Sequence, residues 1–443
     1  MNIRVRKIIA YLFIVTFIIT AVLLVFYTAG FRYDFKKGNI IRTGSLVLET
    51  EPNNANIYIN NKLLTSKTPG RLNNILPGDY TIKIEKENHH TWEKKLSIQS
   101  QKTTFAENIN LFYQALPSLL LQDITWGEFS QNKQFFIAST TEFNQQHFYL
   151  YNLSNAKKHL IYVNPNNSLI PTITWSRKND YLLFQTNNLN QVISTTYPPE
   201  TYNLNLAYKN IRWDNNEPNI LYYQTVNKIT KLNLSNNKKS EVFSLSISGT
   251  LSDYYIYDNK IFAIEKLNSK YFLTSYPLNN GNINLRKTIE LTGENFHIEN
   301  IINNKIILLN KKNNNLYLTD TSLDKVSFSE QAIVSYDIFA DKNWLLVQTD
   351  DEIKFLDTNN NQSQTKSITR VSQGLQKAQW FKDSNYCFYT QNGKLKIIEL
   401  DDRNGNIIIN LISEPISDFT LSPKNEGIYY LQNNSFFYQP IIE

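Results

Sequence analysis

The stretch Ile173-Thr174-Trp175-Ser176-Arg177-Lys178-Asn179-Asp180-Tyr181-Leu182-Leu183-Phe184-Gln185-Thr186 reads as an apolar strand ending in an aromatic, a polar turn, and a second aromatic-rich strand. Two strands cannot bury both faces alone, so the unit needs neighbours of its own kind. The rest of the chain supplies them. Trp126 and Trp175 are 49 residues apart, Trp175 and Trp213 are 38 apart, and Trp380 and Phe419 are 39 apart, while strands near Tyr255, Ile302 and Phe339 fill the interval. A period of roughly 40 residues with about four strands per copy predicts a β-propeller of seven or eight blades over residues 113–443. The last copy is short, and Leu116-Pro117-Ser118-Leu119-Leu120-Leu121 precedes the first copy as an unassigned apolar strand. Pairing the two would close the ring and is expected to bury three or four leucines. Trp126, Trp175, Trp213 and Trp380 are expected to pack blades together.

Towards the N-terminus, residues 8–29 form an uncharged apolar run of 22 residues, long enough as a helix to span a bilayer core of about 30 Å. The rival is a secretory signal, whose apolar region runs about 7–15 residues. The expectation is a retained anchor: residues 1–31 as cytoplasmic tail and single transmembrane helix, 32–43 as a linker without a fold of its own, and everything after it outside the cytoplasmic membrane. Seven of the 45 basic and one of the 39 acidic residues lie in 1–43, which leaves 38 of each beyond it. The folded part is neutral, which argues against nucleic acid as a partner.

Residues 44–112 change character. Gly44-Ser45-Leu46-Val47-Leu48 is a strand, Ala55-Asn56-Ile57-Tyr58-Ile59 alternates, Asn60-Asn61 suits a two-residue hairpin turn, and Asp79-Tyr80-Thr81-Ile82-Lys83-Ile84-Glu85 alternates strictly. A small all-β sandwich would bury Leu46, Leu48, Ile57, Ile59, Tyr80, Ile82 and Ile84, and its strands over 44–98 form a set expected to fold alone. Pro52-Asn53-Asn54-Ala55, Thr68-Pro69 and Leu76-Pro77-Gly78-Asp79-Tyr80, in this order around the Asn60-Asn61 turn, resemble the PEGA domain. That resemblance implies a non-catalytic bacterial envelope module outside the cytoplasmic membrane. Likewise Trp175-Ser176 with Asp180-Tyr181, and Leu421-Ser422-Pro423-Lys424-Asn425, resemble the TolB-like propeller repeat, with most copies lacking its Pro and Gly; the resemblance implies the fold and not that family's partners.

Neither a nucleophile elbow, a phosphate loop, a zinc-protease helix nor a Cys pair is present, so the reading is a protein that is not an enzyme, with no cofactor, no catalytic set and no metal site. The single Cys387 is expected to be a buried inert thiol, and His89 and His90 to be exposed polar residues. Asp123, Asp253, Asp337 and Asp418 precede strand-ending aromatics and are candidates to line a central channel. Tyr197, in Tyr197-Pro198-Pro199, is a candidate loop contact. The function expected is a membrane-anchored extracytoplasmic binding or scaffolding protein of the bacterial envelope whose propeller holds a protein or cell-wall partner; the alternative is a propeller enzyme acting on an envelope glycan through the channel carboxylates.

Overall fold

The helix Ile3–Thr28 opens with Arg4, Arg6 and Lys7 and is uncharged from Ile8 onward, and none of its 26 residues is buried in the molecule, so its apolar faces fit a membrane anchor. Thr16 and Thr20 donate their hydroxyls to the carbonyls of Leu12 and Thr16 (2.8 and 2.7 Å), hiding the polar groups the run contains. Among the described residues it is the helix long and apolar enough to cross a membrane. The computed structural model describes residues 3–34, 38–155, 157–165, 170–196, 198–245, 249–278, 287–339, 342–359, 365–381 and 385–443. They form two compact units: Met1–Leu116 with Glu399–Ile409 and Pro440–Glu443, and Pro117–Ile398 with Asn410–Gln439.

In the first unit the linker is not structureless. Phe31–Asp34 pairs antiparallel with Asn39–Arg42, with Gly38 at φ +67 in the turn. Arg32 lies over the Tyr27 ring (3.7 Å) and Arg42 over the Phe31 ring (4.7 Å). Those cation–π contacts, invisible to a count of charges, make the hairpin worth forming.

The sandwich follows. One sheet orders Lys62–Lys67, Asn56–Ile59, Gly78–Glu85 and Trp92–Ile98; the other orders Gly70–Ile75, Gly44–Glu51 and Thr103–Asn110, the last two parallel. Alternation puts Leu46, Leu48, Ile57, Ile82 and Ile84 in the core, with Ile59 and Tyr80 only partly buried at its margin. Asn60 (φ 48) and Asn61 (φ 64) make the predicted turn. Two expectations fail here. Ala106, Ile109 and Leu111 belong to the core, so residues 44–98 are not a complete set. His89 is buried, its Nδ1 2.6 Å from the Glu87 carbonyl and its ring against Tyr113.

Glu399–Ile409 reaches this unit from far along the chain. Lys94, with a side chain 1% exposed, pairs with Glu399 (2.5 Å) and Asp401 (3.4 Å), and the Trp92 indole donates to Glu399 (2.9 Å). Arg403 clamps Asp401 (Nη2 to Oδ2, 2.7 Å) and donates to the Phe105 carbonyl (2.9 Å), while Asn404 donates to that of Lys95 (2.5 Å). Burial opposes ionisation of Asp401, yet the Arg403 hydrogen bonds hold its carboxyl below the usual range. Phe105 and Lys95 lie on the edge strands of the two sheets, so the segment covers edges that would otherwise be open.

The second unit holds, among the described residues, eight four-stranded antiparallel sheets. Their first strands are Ile124–Phe129, Thr172–Trp175, Lys209–Trp213, Thr250–Tyr257, Phe296–Ile302, Ser335–Phe339, Leu375–Trp380 and Asp418–Leu421, and they define blades 1 to 8. Ser118–Leu121 is the outer strand of blade 8, paired with Ser435–Pro440. Ile124, Phe136 and Ala138 of blade 1 share one core with Tyr429, Leu431 and Phe436 of blade 8. The ring is closed. The expected burial of its leucines is not seen: Leu119 and Leu120 are 47% and 45% exposed, because an outermost strand has no further blade to cover its outer face. Closure therefore rests on strand pairing and on the Phe136–Phe436 stack (4.2 Å).

The turn after each first strand fixes the repeat register. Ser130 N bonds Phe135 O, Ser176 N bonds Tyr181 O and Ser422 N bonds Gly427 O, and each serine hydroxyl accepts from the N–H of the residue that the turn brings back. Lys133, Asn179 and Asn425 take φ of 62, 58 and 57 where the family form carries Gly. This register makes Phe129, not Trp126, the counterpart of Trp175. The aromatics so aligned lean on the preceding blade: Trp175 on Phe135 (5.8 Å), Trp380 on Trp344 (5.7 Å), Phe129 on Phe436 (5.9 Å), and Trp213 through its indole to the Thr174 carbonyl (3.0 Å). Cys387 is buried, and burial pushes its thiol far up, as an inert thiol requires.

Candidate functional site: the propeller channel

First strands of neighbouring blades are laced directly together, so their inward residues line the axis of the ring. In blades 3 to 5, Arg212 Nη2 reaches both oxygens of fully buried Asp253 (3.0 and 2.8 Å), which also accepts from Ile298 N (2.8 Å) and has His297 Nδ1 at 3.6 Å. Burial would lower the guanidinium, but the Asp253 charge outweighs it and holds Arg212 up. Every Asp253 oxygen is engaged, so this carboxylate is part of the wall.

Blades 6 to 8 open instead into a cavity of about 330 Å³, lined by Ser335, Tyr336, Asp337, Gln376, Lys377, Gln379, Thr390, Ser417, Asp418 and Phe419. Lys377 pairs with Asp418 (2.7 Å) and lies over the Phe419 ring (5.6 Å). Asp337 accepts from Trp380 N (3.0 Å); burial raises its carboxyl, against Lys133 and the Trp380 and Ile338 amides. Outside the lining, Glu128 and Lys133 of blade 1 act on these groups through their charges. Burial lifts the Glu128 carboxyl to about 7, with Asp418 adding to the rise and Lys377 opposing it. Burial lowers the Lys133 ammonium, Asp337 opposes that, and Lys377 adds to it. Neither of these two side chains has a hydrogen bond or ion pair among the described residues.

The sequence candidates thus part ways. Asp337 and Asp418 line one cavity, Asp253 is tied into the wall on other blades, and Asp123 is an exposed turn residue at φ +60 between the closing strand and blade 1. Tyr197 lies outside the described residues. Glu128, Lys133, Arg212 and Lys377 were missed. A signal existed: counting back from the strand-ending residue, alternate positions face inward, which selects Glu128, Arg212 and Gln379 one step before Phe129, Trp213 and Trp380, and Lys377 and Asp418 three steps before Trp380 and Leu421. Among the described residues no group of His, Cys, Asp and Glu could hold a metal ion.

Residues 43–111 match the PEGA domain. A comparison with curated proteins finds no match. Among solved structures the chain is similar to a eukaryotic initiation factor (12% identity, TM-score 0.50, covering 73% of this chain and 90% of that one). It is also similar to the C-terminal WD40 domain of Sif2 (11%, 0.48, 74% and 99%) and to Kluyveromyces lactis Hsv2 (11%, 0.39, 65% and 98%). At such identity the likeness to the initiation factor shows the fold alone, a β-propeller. The chain joins an apolar helix that fits a membrane anchor, a PEGA domain and a β-propeller.

Proposed function

We propose that this is a bacterial envelope protein, held in the cytoplasmic membrane by Ile3–Thr28, whose propeller, of TolB-like repeat form, binds a protein or cell-wall partner outside the cell. The observation that carries the reading is the order of parts: an exposed apolar helix leads within 15 residues into a PEGA domain, a kind of module suited to the outer side of that membrane. Asp337 and Asp418 line a polar cavity suited to such contacts, and the charges of Glu128 and Lys133 act on theirs. Protease treatment of spheroplasts tests it. Full digestion of the propeller, with an N-terminal fragment left in carbonate-washed membranes, is the expected result; a protected propeller, or a shortened protein in the soluble fraction, overturns it.

One observation favours a second reading, hydrolysis of an envelope glycan. A carboxyl that burial lifts to about 7, within electrostatic reach of the ion-paired carboxylate of Asp418, matches the acid and partner carboxylate that glycosidases use. Release of reducing sugars from cell-wall glycan, abolished by Glu128→Gln, would establish it; equal release by the variant dismisses it.

A further inference from the structure

Antiparallel blades place the turns between second and third strands, and the connections from one blade to the next, on the same end of the propeller. On blades 4, 7 and 8 those hairpin turns are Asn268-Ser269, Asn392-Gly393 and Asn433-Asn434, residue types that accept the left-handed backbone they adopt. Blades 1 and 3 differ. Their turns begin with Phe143 (φ +50) and Val226 (φ +52), and the two side chains are 96% and 83% exposed. A bulky aromatic, and still more a β-branched residue, is strained at positive φ. At these exposures neither side chain buries enough against the described residues to offset the strain, so the return for carrying it must come from outside. Ile170 and Leu206, 75% and 54% exposed, lie at the same end in the connections after blades 1 and 2.

We propose that this end of the propeller docks on a lipid surface, with Phe143 and Val226 as the inserting tips. Protein interfaces need a continuous apolar core. Here the tips are single residues flanked by Asn144 and Asn227, on blades about two sheet spacings or ~20 Å apart, with the polar Asn187-Asn188 turn of blade 2 between them. A fluid bilayer takes separate spikes of this kind without a matching shape, as it takes interfacial aromatic and aliphatic side chains generally. The chain's own apolar helix makes a bilayer an available neighbour.

The test uses the full chain in phosphatidylethanolamine and phosphatidylglycerol vesicles, labelled with an environment-sensitive fluorophore at Gln145→Cys; the native thiol, Cys387, is buried. Brominated lipid is placed either in the same vesicles or in added protein-free vesicles. Quenching by brominated lipid is expected, and the arrangement in which it appears tells the protein's own bilayer from an added one. In the Phe143→Asn, Val226→Asn variant the vesicle concentration for half-maximal quenching should rise about tenfold or more, while the melting temperature stays level or rises because Asn suits the turn. No quenching in either arrangement, or quenching unchanged in the variant, overturns the proposal. Crosslinking of the same tips to a protein without quenching overturns it in favour of a protein face.

Discussion

The sandwich and the propeller channel both take charges out of water, and they treat them in opposite ways. Around Lys94 the sandwich gathers Glu399, Asp401, the Trp92 indole and Arg403 until the buried charge is met on several sides. At the channel, Glu128 and Lys133 have no hydrogen bond or ion pair among the described residues, and burial shifts both towards their neutral forms. A desolvated charge that is fully paired holds structure in place; one left unpaired destabilises the fold and stays free to meet a ligand.

Four measurements sharpen or break this contrast. Lys94→Ala leaves Glu399 buried without its cation and should cost about 3–5 kcal/mol in denaturant unfolding of the full chain; a loss under about 1 kcal/mol would show the network to be ornamental. Glu128→Gln should do the opposite and stabilise by about 1–3 kcal/mol at pH 8. The sign follows from the raised folded-state value: as pH climbs from 4.5 to about 7 the unfolded carboxyl ionises while the folded one stays protonated, so stability falls over that window and levels off above it. The variant's advantage should therefore vanish below about pH 4.5, and a pH-independent gain would refute the assignment.

Smaller effects probe the blades. Asn179→Ala forces a non-glycine, non-Asn residue into φ +58 and should cost about 1–2 kcal/mol, whereas Asn179→Gly should be close to neutral. Paired replacement of Leu119 and Leu120 by Asn should change stability by less than about 0.5 kcal/mol, as for exposed positions generally; a loss of several kcal/mol would mean that the closing strand is buried after all.

Much of the architecture was legible from local pattern. Alternation gave the sandwich core at Leu46, Leu48, Ile57, Ile82 and Ile84, the paired asparagines gave its turn, and spacing gave the repeat, because these depend on residues close in sequence. The site was legible only in part. Asp337 and Asp418 were found among acids ahead of aromatics, but the same rule selected Asp123, a surface turn, and Asp253, which Arg212 neutralises from the adjacent blade. Trp126 misled because hydrogen bonding around the serine turns, not the aromatic itself, sets the register.

Short-range physics makes these features readable in the chain alone: an apolar run of helix length, period-two strands, Asn at positive φ, an unassigned strand before the first repeat copy and a last copy one strand short. Which distant groups meet is set by the folded chain as a whole. That Glu399 would meet Lys94 some three hundred residues away, that the closing strand would leave Leu119 and Leu120 half exposed, and that Glu128 of blade 1 would feel the charge of Asp418 on the neighbouring blade 8 all depend on how distant segments fold together. Charge pairing and burial act through space, and no local window of sequence contains both partners.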